Sequence, residues 1–141
     1  MITKARVLNW DGRLVAWAKE MVGRPFVWGE TDCITLAIEA IEIIHPGQIK
    51  FDLPFWDSKK TAIVAIKKIN GFSAYMEKHG AVKIESELLA RAGDLLVAPS
   101  VDSIEGCQVV IGGKIISSRP DEGVHIRNLY PVQVGSVVMR F

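Results

Sequence analysis

The sequence predicts an α+β fold in which N-terminal helices pack on a C-terminal antiparallel β-sheet. Three observations carry this. Apolar residues recur at helical spacing up to about residue 80, short β-rich runs replace them beyond Ala81, and Gly112-Gly113 sits between two of those runs as a hairpin turn. A length of 141 residues fits one domain spanning 1–141.

The first helix is expected to be capped by Asn9 or Asp11 and to run to about Val22, with Leu14, Trp17, Ala18 and Met21 on one stripe. Gly23 and Arg24-Pro25 stop it, because proline disfavours helical geometry in the residue before it. A short aromatic loop follows, and Thr31 or Asp32 is placed to cap a second helix from Cys33 to Ile44. That helix is apolar nearly all round, as a buried central helix is. Beyond the loop FDLPFWDS, Ser58 can cap a third helix over Lys59–Ile69, and a short helical turn over Ser73–Lys78 ends at His79-Gly80. Strands are expected at Val82–Ile84, Asp94–Ala98, Gln108–Ile111, Lys114–Ser118, Val124–Asn128 and Gly135–Phe141.

Composition narrows the function. The chain is 49% apolar and 23% charged, and 17 basic against 16 acidic residues leave a net charge of +1. Such balance supplies no electrostatic footprint for nucleic acid, so none is expected as a partner. The longest apolar stretch is broken by Thr35, Glu39 and Glu42, so no stable membrane insertion is expected. The opening MITKARVLNWDG lacks the apolar core of a secretory signal, which predicts a protein made in the cytosol. Two cysteines make neither a disulfide framework nor a four-ligand zinc site, and no metal or other cofactor is expected.

The chemistry points to Cys33. At the first turn of a helix, unpaired N–H groups and the positive end of the dipole favour thiolate over thiol. Gly29 lets backbone approach closely, and Trp28 can wall a groove. An ordinary buried cysteine behaving as a small hydrophobe is the competing reading.

Gly23-Arg24-Pro25-Phe26-Val27-Trp28-Gly29, followed by Thr31-Asp32-Cys33 opening an apolar helix, resembles the nucleophile motif of the NlpC-type papain-like cell-wall peptidases. Ala92-Gly93-Asp94-Leu95-Leu96-Val97 is similar to their G-D-L strand, and Val109 to Ile116 to their sheet hairpin. The order Trp10-Asp11-Gly12-Arg13-Leu14, Cys33, Gly93-Asp94, Val109, Gly112-Gly113 and Pro120-Asp121-Glu122-Gly123 resembles more closely a compact branch of that superfamily encoded in phage and prophage tail-gene clusters. The resemblance implies a papain-like fold and a tail-tip structural or assembly protein. It would be made in the host bacterial cytoplasm, located in the virion tail, and partnered by other tail proteins. In the enzymes of the superfamily the cysteine attacks a peptidoglycan stem peptide, so peptidoglycan is the alternative partner and a cysteine peptidase the alternative function.

The departure is as informative as the match. A thiol hydrolase needs a base to take the thiol proton and a third group to orient it. The resemblance puts that base at Gly106 or Cys107 and the orienting group near Ser117 or Ser118, leaving a vestigial site of Trp28, Gly29, Asp32, Gly106, Cys107 and Ser117 around Cys33. If Cys107 occupies the base's place, its sulfur lies near that of Cys33, and the two could form a disulfide under oxidising conditions while staying reduced in the cytosol; two thiols with no chemical relationship are the competing reading. Among the histidines, His45 ends the helix that Cys33 begins, roughly 18 Å away at about 1.5 Å per residue, beyond reach. His79 ends a helical turn before the sheet. His125 alternates with Val124 and Ile126, so it faces away from the core unless its strand turns that face toward the cysteine. It is the one substitute base on offer. Phe51, Phe55 and Trp56 fit either a partner-binding patch or packing on the third helix. Asp32 reads as a cap and Asp94 as a turn residue.

Overall fold

The computed structural model describes residues 4–101 and 104–141. Residues 1–3, part of the segment read above for an export signal, lie outside the described residues. Four helices come first: α1 (Trp10–Met21), α2 (Cys33–Ile44), α3 (Lys59–Lys68) and α4 (Phe72–Lys78). Six strands follow: β1 (Val82–Ile84), β2 (Leu95–Val101), β3 (Ile104–Val110), β4 (Lys114–Arg119), β5 (Gly123–Asn128) and β6 (Val137–Arg140), with a 3-10 turn at Glu87–Leu89. They form one sheet in the order β1-β6-β2-β3-β4-β5 with every pairing antiparallel. The fold is α+β.

Strands β2 to β5 form a meander, and β6 returns to insert between β2 and β1. α2 packs on β3 and β4, α1 on α2, and α3 on β3. Strand alternation therefore gives the sheet two different faces. The helix-facing side carries Leu95, Val97, Cys107, Val109, Ile116 and Val124 into the main core, while Leu96, Val110, Ile115 and Val138 form a smaller cluster behind it with Leu129.

Local chemistry accounts for two of the four helix starts. Asp32 is the N-cap of α2, its Oδ1 accepting from the Thr35 N–H at 2.9 Å. Ser58 and Thr61 form a reciprocal capping box at α3. Asn9 precedes α1 in a left-handed conformation and its side chain does not cap; Asp11 instead sits in the first turn. α4 begins at Phe72, and this start is capped from a distance: the Glu105 carboxylate on β3 accepts from the Phe72 N–H and from the Ser73 hydroxyl at 2.8 Å. β3 begins at Ile104, earlier than the apolar run predicts, because pairing with β2 carries the less apolar Glu105-Gly106 into the ladder.

Candidate functional site

The loop 23–32 sets the geometry around Cys33. Its start joins the sheet edge, where Gly23 N–H donates to Val124 O and Val124 N–H to Arg24 O, both at 2.9 Å. Thr31, the alternative cap, instead ties the loop together, donating to Pro25 O and accepting from the Val27 N–H. Asp32, 3% exposed, does more than cap. Its Oδ2 also accepts from the Gly29 N–H at 2.7 Å, the Thr35 hydroxyl at 2.9 Å and the Trp56 indole N–H at 2.9 Å. Gly29 has φ 82°, and a Cβ there would lie 2.3 Å from Trp56 O, so the two loops meet backbone to backbone.

This frame opens a cleft of about 480 Å³ between the start of α2, α3 and strands β2 to β4. Cys33, Trp28 and Asp32 line it from one side, and Gly106, Cys107 and Ser117 from the other. Sequence-predicted positions separated by some 80 residues thus share one cavity. Trp28 meets Phe26 edge-on at 4.8 Å between ring centres.

Cys33 is half-buried as a residue, but its thiol is enclosed by protein. Burial pushes it up from 9.0 to about 11, and the neighbouring Asp32 carboxylate adds to the rise. The backbone N–H groups of Cys107, Cys33 and Ile34 pull the other way and lose. The thiolate expected from the helix start therefore does not form at neutral pH, because desolvation of the sulfur outweighs the helix terminus. Cys107, 1% exposed, is pushed well above the ordinary range by its own burial, then by Cys33 and Glu105. Both cysteines are free.

Ser117 donates to the Cys107 carbonyl at 3.0 Å, and the buried Ser118 hydroxyl has no partner among the described residues. No histidine lies among the described residues lining the cleft. His45 caps the far end of α2 with Nδ1 on Ala5 O, and His79 sits against Phe51 and Tyr75. His125 pairs across the ladder with Ser117, while Val124 and Ile126 on either side of it pack with the core. Its Nδ1–H donates to Gly123 O at 3.0 Å, and its buried Nε2 has no partner among the described residues. His125 is not among the described residues lining the cleft that Cys33 lines.

Three contributors escape sequence reasoning. Trp56 lies 7% exposed and holds Asp32, whereas its neighbour Phe55 stands 83% exposed. Glu105 joins β3 to α4. Asp94 is wholly buried, bound twice by Arg140 at 2.7 Å and flanked by Arg6 at 3.9 Å. Asp94 is the turn residue its position suggests, accepting from the Arg91 N–H at 2.8 Å, but its arginine partners, like those of Trp56 and Glu105, are remote in sequence and leave no local signal. Among the described residues, no group of three or more His, Cys, Asp or Glu could hold a metal ion, and no helix is long and apolar enough to cross a membrane.

Residues 5–134 match a family described as a domain of unknown function, DUF6950. No curated protein matches the chain.

Proposed function

The chain belongs to the DUF6950 family, and from the chemistry of its cleft we propose a degenerate papain-like, NlpC-type protein that serves a phage tail as a structural or assembly component rather than as a hydrolase. One observation carries the loss of hydrolysis: Cys33 shares its cleft with a second cysteine where a base is needed, and with no histidine among the described lining residues. Acyl transfer by a thiol requires proton removal within hydrogen-bond reach and proton return to the leaving amine. A Cys107 thiol pushed well above the ordinary range does neither at neutral pH.

The tail assignment rests on the ordered resemblance of the short motifs from Trp10 to Gly123. Exposed Val27, Phe55 and Val134, each beside a residue lining the cleft, suit contact with another tail protein. Two experiments test the two halves. Cell-wall digests with the purified chain should release no new peptide ends; cleavage that disappears in Cys33→Ala would establish the peptidase reading instead. Deleting the coding sequence from a phage that carries it should leave particles with defective or missing tails, whereas normal infectious tails would refute the assembly role.

A further inference from the structure

We infer that Cys33 and Cys107 form a reversible dithiol–disulfide pair that joins the start of α2 to β3 within the cleft. Four observations bring the two cysteines to one site. α2 packs directly on β3. Both residues line one cavity and both are free thiols. Cys107 lies on the helix-facing side of β3, in the same core cluster against which Cys33 packs. The backbone N–H of Cys107 acts on the Cys33 sulfur, and ionisation of Cys33 is felt at Cys107. The inference stands beside the proposed function and not on it, since the pairing needs only the geometry of the two thiols.

The chemistry is thiol–disulfide exchange with a low-molecular-weight disulfide as oxidant. Cys33, the less buried residue of the two and a lining residue of the open cleft, loses its proton and attacks one sulfur of the small disulfide. A mixed disulfide forms, and the first small thiolate leaves and is protonated. Cys107 then loses its proton and attacks the Cys33 sulfur, expelling the second small thiol and closing the protein disulfide. Two protein thiols are oxidised and one small disulfide is reduced to two thiols. The bridge spans α2, α3, α4, β1 and β2 in one covalent loop, which restricts the unfolded chain and raises stability.

The test is incubation of the full chain to equilibrium with hydroxyethyl disulfide, which is small and neutral. The expected product has lost two hydrogens in mass, titrates no thiol after denaturation, and yields a Cys33–Cys107 linked peptide. Its thermal midpoint rises by about 5 °C or more and returns on treatment with dithiothreitol. Cys107→Ser should stop at a mixed disulfide on Cys33, and Cys33→Ser should remain a free thiol. A parent protein that stops at the mixed disulfide, or keeps two free thiols where the denatured chain is fully oxidised, overturns the inference. Neither result bears on cell-wall cleavage or tail assembly, so its failure is separable from failure of the functional proposal.

Discussion

Asp32 gathers the Thr35 N–H and hydroxyl, the Gly29 N–H and the Trp56 indole N–H on one buried carboxylate. Removing it strands three donors besides uncapping α2. Asp32→Ala should therefore lower unfolding free energy by about 3 kcal/mol in urea titration, and Asp32→Asn by less, because an amide keeps one accepting oxygen. The neighbouring thiol obeys a different balance. A helix start favours its anion, but an enclosed sulfur pays desolvation first, and the result is a rise from 9.0 to about 11. The sign for stability follows directly: above pH 9 the unfolded chain releases this proton while the folded one retains it until about 11. Stability should fall across that window, and Cys33→Ser should flatten the fall relative to the parent, the shared titration of other groups cancelling in the comparison.

Elements are placed by short-range caps and by long-range ties, and only the former are written locally. Ser58→Ala should cost α3 its capping box, about 1 kcal/mol by thermal or denaturant unfolding. Gly29→Ala should cost more, about 2 kcal/mol or above, since the residue holds φ 82° and its Cβ would strike Trp56 O. The caps at Asp32 and Ser58 and the hairpin at Gly112-Gly113 were legible because each is a few residues of fixed spacing. The start of α4 was not, because its cap is Glu105 on β3. For the same reason periodicity put Trp56 in a loop with equal claims to surface and core; only the fold brings its indole to Asp32. At Asn9 local propensity misleads, since from its left-handed backbone the side chain reaches the first turn beside Gly12 without making a capping hydrogen bond.

Across the whole molecule, Asp94 ties the start of β2 to Arg6 near the N-terminal end and to Arg140 on β6. The strand order explains why a turn-like sequence position became buried: β6 returns beside β2, bringing a guanidinium to the carboxylate. Breaking one side of such a pair leaves an uncompensated group, so Asp94→Asn should destabilise by about 3 kcal/mol. Combined with Arg140→Gln, it should cost less than the two single changes added together. The same global arrangement decides the candidate site. Position along the chain announced Cys33, but whether a base stands beside it depends on which residue β3 presents to α2, and that residue is Cys107.

The central claim, a cleft thiol held protonated without a base, is tested most directly by the alkylation rate of Cys33 in Cys107→Ser as a function of pH. The account predicts a rate below that of free cysteine at neutral pH, climbing about tenfold per pH unit with no plateau before pH 9. A plateau near neutral pH, with reactivity above the free amino acid, would contradict it.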